Sequence, residues 1–311
     1  MTVIAPNNLQ FGRVEPYISV TEFLASPTAS MLDYSNFVQG GTQAQQNAAV
    51  QQLIYRASSK ADQYCMGPLG TLNATANTEG GRYNADRQGC FRVHPSFSPI
   101  LEVSAFQWGP TPGMGNVLTL SSDNCWIERQ EIVVSALVGS GTSNYLGINA
   151  LTSIIGGPGS WGGPQFCQWT YINGFANTFT SASVTLGATS IPVNDPTGIY
   201  PGMTLTIWDS SNDEIVTVSS SYVAGSSTVT LAAGTQFAHA SATNISALPA
   251  SVKQAVIHFT VAMVRQRGQG GFIIDQLGAG EPVIGKVDTG DDDEIRGYDL
   301  LEEFRIVSGL L

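Results

Sequence analysis

Leu248-Pro249-Ala250-Ser251-Val252-Lys253-Gln254-Ala255-Val256-Ile257-His258-Phe259-Thr260-Val261-Ala262-Met263-Val264-Arg265-Gln266-Arg267 is the stretch on which the reading of the fold turns. Val252, Ala255, Val256, Phe259, Ala262 and Met263 recur at helical spacing, and Ile257, Val261 and Val264 widen the stripe until the segment is apolar nearly all round. A helix of this kind is buried. Pro249 fits its first turn, Arg265 and Arg267 suit the negative end of its dipole, and Gly268 can take a left-handed cap. Ser251, Gln254, His258 and Arg265 share its one polar strip. Such a helix needs cover on every side, so the rest of the chain is read for what surrounds it.

Two further helical patterns offer that cover. Between Thr42 and Met66, Val50, Leu53, Ile54, Ala57, Ala61, Tyr64 and Cys65 form a stripe, while Gln46, Gln52, Arg56, Ser59, Lys60 and Gln63 make the other face, amide-rich and suited to lateral packing against a neighbour. Residues 281–305 hold nine acids against three bases; Asp291, Asp292, Asp293 and Glu294 stand where a helix N-terminus favours them, ahead of Ile295, Tyr298, Leu301 and Phe304. Ser19 and Glu22 fit a capping box for one short turn in an otherwise extended, proline-broken arm. Period-two runs fill the remainder. Cys90–His94, Ile100–Phe106, Val117–Leu120 and Trp126–Val134 read as one small antiparallel sheet; Val184–Leu186, Ile191–Val193, Thr204–Trp208, Glu214–Val218 and Thr228–Leu231 read as a barrel or sandwich.

The fold class this predicts is α+β: a helical core, with helices near 42–66, 249–267 and 290–306, into which two antiparallel β segments are inserted. The segments run 1–70 (arm and first core helix), 71–138 (first β segment), 139–180 (Gly-rich loop and connecting strand), 181–248 (inserted β module) and 249–311 (C-terminal helices and acidic tail). Gly139 to Pro164 carries eight glycines, and its isolated Tyr145, Ile154, Ile155 and Trp161 suggest a loop that orders against a partner.

Composition narrows the function. The 311 residues are 42% hydrophobic and 12% charged, with 24 acids, 13 bases and a net charge of -11. That is too apolar for disorder, and no run reaches the ~18–20 residues of a membrane span. Met1-Thr2-Val3-Ile4-Ala5-Pro6 lacks a basic then apolar leader, so no secretory signal is expected. No Lys or Arg occurs between Arg129 and Lys253, which disfavours any clamp on phosphates. Cys65, Cys90, Cys125 and Cys167 are too far apart for a CxxC pair and read as small apolar side chains.

Chemistry finds little purchase. His94, His239 and His258 lie in unrelated contexts without a metal-ligand spacing, there is no G-x-S-x-G elbow, and the glycine-rich stretches lack the order of a phosphate loop. No catalytic, metal or cofactor site is predicted, and no enzyme. Glu128 and Glu131 are the least poor carboxylate pair for glycoside hydrolysis. Asp209-Ser210-Ser211-Asn212-Asp213-Glu214 reads as a hairpin turn. Asp288 and the 291–294 acids read as a solvated helix start without the offsets of a calcium loop.

Five stretches carry a resemblance: Tyr17-Ile18-Ser19-Val20-Thr21-Glu22-Phe23; Ala57-Ser58-Ser59-Lys60-Ala61-Asp62-Gln63-Tyr64-Cys65; Val93-His94-Pro95; Pro99-Ile100-Leu101-Glu102-Val103; and Leu248–Ala255 with its Arg265–Gly268 end. In this order they resemble the head-to-tail adaptor (connector) proteins of tailed double-stranded DNA bacteriophages, and the 193–218 segment looks like the β module of longer members. The resemblance implies a structural virion protein of the head-tail neck, assembled in the host cytoplasm into a homo-oligomeric ring of twelve. Its partners would be the portal protein above and a neck (stopper) or tail-terminator protein below; it needs no cofactor or membrane. Double-stranded DNA would pass without specific binding, and an acidic bore meets that need because the duplex carries about one charge per 1.7 Å.

Leu300, Leu301, Phe304, Ile306, Leu310 and Leu311, with Trp161 and Ile154, are then the candidate partner interface, and Asp291, Asp292, Asp293 and Glu294 the candidate acidic bore or portal-facing surface. A β-rich carbohydrate- or receptor-binding tail module, stacking sugars on Trp108, Trp126, Trp161 or Trp208, is the alternative.

Overall fold

A computed structural model describes residues 15–30, 40–67, 70–86, 89–112, 116–135, 164–209, 212–266 and 291–305, with Leu32 and Val38. The chain forms two compact units, Met1–Gln10 with Ala74–Gly174, and Phe11–Asn73 with Phe175–Leu311. The fold is mainly β. Among the described residues thirteen strands make four antiparallel sheets, while the helices are four, only one of them long, plus a 3-10 turn. This corrects the expectation of a helical core with two β segments inserted into it. Apolar helix stripes are conspicuous in a sequence, but the large buried clusters lie within and between sheets whose strands are short and interrupted.

The first unit runs β1 (Thr75–Tyr83), β2 (Cys90–Val93), β3 (Ile100–Gly109), β4 (Asn116–Leu118), β5 (Cys125–Glu128), β6 (Glu131–Ser135) and β7 (Gln165–Asn173). One sheet is ordered β1-β7-β3-β4 and the other β2-β6-β5. Strand β7 is central, paired with β1 from Thr75↔Asn173 to Tyr83↔Gln165 and with β3 on its other edge. Its Cys167, Trp169 and Tyr171 alternate inward and meet Phe91, Phe106, Trp108 and Ile132 in one core. The polar, glycine-containing β1 and the centrality of β7 were missed, because a polar strand lacks the apolar alternation that marks one in sequence.

The second unit holds α1 (Val20–Ala25), α2 (Gln43–Met66), β8 (Asn177–Phe179), β9 (Ser190–Pro192), β10 (Thr204–Trp208), β11 (Glu214–Thr217), β12 (Thr228–Thr230), β13 (Asn244–Ser246), α3 (Ala250–Val264), α4 (Asp291–Leu301) and the 3-10 turn Glu302–Phe304. Its sheets are β11-β10-β13-β8 and β12-β9. Val184, Ile191, Leu205, Ile207, Val216, Tyr222, Val229 and Ile245 fill the space among them. The Ser19/Glu22 capping box forms on α1, and Thr42 with Gln45 makes a second on α2, which ends at Gly67 with φ +74°. The buried helix of the opening stretch is α3, packed between α2 and α4.

Gly297 is what lets α4 lie so close to α3. A Cβ built there would stand 2.4 Å from the Phe259 ring, whose own side chain is fully buried and cannot yield. Gly297→Ala is expected to destabilise the protein by about 1–3 kcal/mol in denaturant unfolding. Adding Phe259→Leu should return part of that loss; an unchanged midpoint for Gly297→Ala alone would contradict the packing.

Candidate functional site

The residues expected to meet partners do not form one surface. Leu301 is fully buried, its carbonyl 3.9 Å from Cys65 Sγ, so it has no surface to offer a neighbour. Leu300 and Phe304 are half-buried, the Phe304 ring standing edge-on to Phe175 at 6.2 Å. Ile154, Trp161, Ile306, Leu310 and Leu311 lie outside the described residues.

The acidic run is likewise divided by the turn of its helix. Asp291 opens α4 and Asp292 is exposed. Asp293 is buried, with Oδ1 2.9 Å from His258 Nδ1 and Oδ2 2.9 Å from an Arg265 guanidinium nitrogen, while Glu294 lies 2.6 Å from Lys60 Nζ. Asp293 and Glu294 are therefore paired inside the subunit, whereas Asp292 faces outward. His258 sat alone on a polar strip in the sequence; its partner follows 35 positions later, on the next helix.

Among the described residues no group of three His, Cys, Asp or Glu side chains suits a metal ion. His239 is enclosed, its two ring nitrogens 2.9 Å from Asp209 Oδ2 and 2.6 Å from Glu214 Oε1. These carboxylates bracket the β10–β11 turn, so the cluster pins that hairpin to the 239 loop. Glu128 and Glu131 both reach Arg92, at 3.2 and 3.4 Å, with their side chains partly in water. Neither occupies the apolar setting that acid catalysis requires. Cys65, Cys90 and Cys167 are buried and all four cysteines are free thiols. Burial pushes the Cys65 and Cys167 thiols up to about 12, which leaves them inert.

Two buried polar networks hold the N-terminal arm in the second unit. The Tyr17 amide donates to Ser58 Oγ at 3.2 Å, and the Tyr17 hydroxyl and the Leu72 amide both donate to Asp62 Oδ1, the latter at 2.7 Å. The other is a relay. Lys253 Nζ donates to Glu22 at 3.1 Å and to Asn244 Oδ1 at 2.7 Å; Asn244 donates on to Asn177 Oδ1 at 2.9 Å, and Asn177 to Asn73 Oδ1 at 3.0 Å. The Lys253 ammonium also lies 4.2 Å over the Trp208 ring.

Among the described residues, an open groove of about 580 Å³ lies between α2 and α4, lined by Arg56, Ser59, Lys60, Gln63, Tyr64 and Tyr298. Successive turns of α2 place Arg56, Lys60 and Tyr64 on one face. Lys60 Nζ sits 5.1 and 5.2 Å from the Phe259 and Tyr298 ring centroids, and Tyr64 packs on Tyr298 at 4.7 Å. Like charges four apart cost a helix a few tenths of a kcal/mol. Lys60 is already met by Glu294 at 2.6 Å, which leaves the exposed Arg56 as the cation of this face most open to an outside carboxylate. The i, i+4, i+8 spacing was the signal in the sequence; the Tyr298 wall was not foreseeable. No family model matches the chain, and no curated protein matches it.

Proposed function

We propose that the chain is a structural virion protein of a tailed phage, a head-to-tail adaptor whose copies close a ring between the portal and the neck or tail and let DNA pass. The observation that supports this reading is the meeting of separate stretches that carry the resemblance. Tyr17 and Glu22 of the first, Ser58 and Asp62 of the second, and Lys253 of the last join in buried hydrogen bonds around the arm, across as many as 231 positions of sequence. The acidic balance suits a bore that repels the duplex, and the exposed Arg56 of the α2–α4 groove suits an acidic face of the next copy or of the portal.

Mass measurement and electron microscopy of the purified chain, alone and with portal, test the reading. A closed ring is the expected result, and Arg56→Glu, at an exposed position, should disrupt it while leaving the unfolding midpoint within a few degrees. A chain that stays monomeric even with portal, or that grips duplex DNA at ordinary salt, would end the proposal. Because Leu301 is core, a truncation that tests the C-terminal anchor has to remove residues 306–311 and spare the 3-10 turn.

One observation favours the alternative. Trp126 is 40% exposed, whereas Trp108 and Trp169 are buried. Binding to a glycan that Trp126→Ala removes would support the carbohydrate-binding reading over the adaptor.

A further inference from the structure

Three elements of the second unit bring a lysine, an asparagine and a glutamate together out of water. Lys253 comes from α3, Asn244 from β13 and Glu22 from α1. The Lys253 side chain is 3% exposed, Asn244 is fully enclosed, and the Trp208 ring roofs the ammonium at 4.2 Å. Lys253 Nζ stands 2.7 Å from Asn244 Oδ1 and 3.1 and 3.2 Å from the two Glu22 carboxylate oxygens. The amide keeps its oxygen toward the lysine, since Asn244 Nδ2 donates to Asn177 Oδ1 at 2.9 Å and to the Thr178 carbonyl at 3.2 Å. A C=O bond is about 1.2 Å long, so Asn244 Cγ lies within about 4 Å of the amine nitrogen.

These are the parts of an amide exchange: a nucleophilic nitrogen, an acyl carbon and a group that moves protons between them. Burial draws the Lys253 ammonium down to about 8 and pushes the Glu22 carboxyl up, so a proton passes readily from one to the other and leaves a neutral amine. We infer that Lys253 and Asn244 condense into an isopeptide bond inside the folded subunit, with Glu22 as the proton carrier. Glu22 takes a proton from the ammonium, the freed lone pair of Nζ attacks Asn244 Cγ, and the carbonyl pair moves onto Oδ1. Return of that pair breaks the Cγ–Nδ2 bond as Glu22 delivers its proton to Nδ2. The surplus proton on Nζ follows, so a lysine ammonium and an amide become a secondary amide and an ammonium ion. Nothing is oxidised or reduced. A nucleophile held against its target reacts as though present at on the order of 10⁵ M or more, and the enclosure keeps water from taking the carbon instead. The hydrogen-bonded ion pair is the chain before condensation. The bond ties β13 to α3 across nine positions of sequence, and because every reacting group belongs to one copy, the inference is independent of the adaptor reading.

Tryptic mapping of the full-length protein, denatured after purification, reads the bond directly. No Lys or Arg lies between Arg129 and Lys253, and trypsin does not cut after an acylated lysine. The expected product is one peptide, 130–265, lighter than its sequence by one ammonia, in place of separate 130–253 and 254–265 peptides. Fragment spectra should place the loss between residues 244 and 253. Glu22→Gln, which keeps both reacting groups, should slow the appearance of the linked peptide by roughly 100-fold, and Asn244→Ala should remove it. Complete cleavage after Lys253 in the parent protein would overturn the inference without any variant. An uncut Lys253 that persists in Asn244→Ala would overturn it as well, and linkage at the parent rate in Glu22→Gln would overturn the part given to Glu22.

Discussion

Lys253→Ala is expected to lower the stability of the second unit by about 3–5 kcal/mol, because it strands a buried carboxylate and a buried amide oxygen together. The Lys253 side chain is 3% exposed and that of Glu22 12%. Burial draws the Lys253 ammonium down to about 8 and pushes the Glu22 carboxyl up, so each partner resists its own charge and only the other makes that charge tolerable. Without the ammonium, Asn244 Oδ1 loses its 2.7 Å donor and the amide relay to Asn177 and Asn73 loses its charged end. Lys253→Met combined with Glu22→Gln removes both charges and keeps an oxygen for the Ser19 amide. That pair should recover about half of the loss in urea unfolding; a double variant no better than Lys253→Ala would place the energy elsewhere.

Asp62→Asn is expected to stabilise the protein above pH 6, an unusual direction for a buried hydrogen-bonded group. Burial raises the Asp62 carboxyl from 3.8 to about 6, against the pull of Tyr17, Leu72 and Thr71 toward the ionised form. A carboxyl raised on folding favours the fold fully below its unfolded value near 3.8 and loses that contribution as pH climbs through about 6. The shift is worth about 3 kcal/mol across that window. Asparagine can accept from Tyr17 and Leu72 through its carbonyl oxygen without ever ionising. The stability difference between variant and parent should therefore grow by about 2–3 kcal/mol between pH 4 and pH 7.5 in urea titrations. A difference that stays flat over this range would mean that the carboxylate is solvated where it stands.

What could be read from the residues was local. Ser19 and Glu22 announced their capping box, and the apolar belt of Val252 to Val264 its own burial, because each depends on neighbours within one or two turns. The class of the fold depends on pairings such as Thr75↔Asn173, about a hundred residues apart, and nothing in Thr75-Ala76-Asn77-Thr78-Glu79 declares a strand. Gly297, a blemish in a helical pattern, turned out to mark contact with Phe259. The same limit hid the site. Arg56 and Lys60 were legible on the polar face of α2, but Tyr64 read as part of the apolar stripe, and Tyr298 and the capture of Asp293 by His258 and Arg265 required three helices to be set side by side.

The second unit is built from chain on both sides of the first, and this orders events at the ribosome. Helix α2 leaves the exit tunnel about 180 residues before α3, the helix that will cover its apolar stripe. At ordinary elongation rates that is a wait of roughly 10–40 s, far longer than a helix takes to form or an unprotected apolar face takes to find the wrong mate. Strand β7 completes the first unit during this interval, so the nascent chain carries one finished half while the other is still in two pieces. The capping box at Thr42 and the glutamine-rich outer face of α2 suit a segment that must remain soluble until its cover is translated.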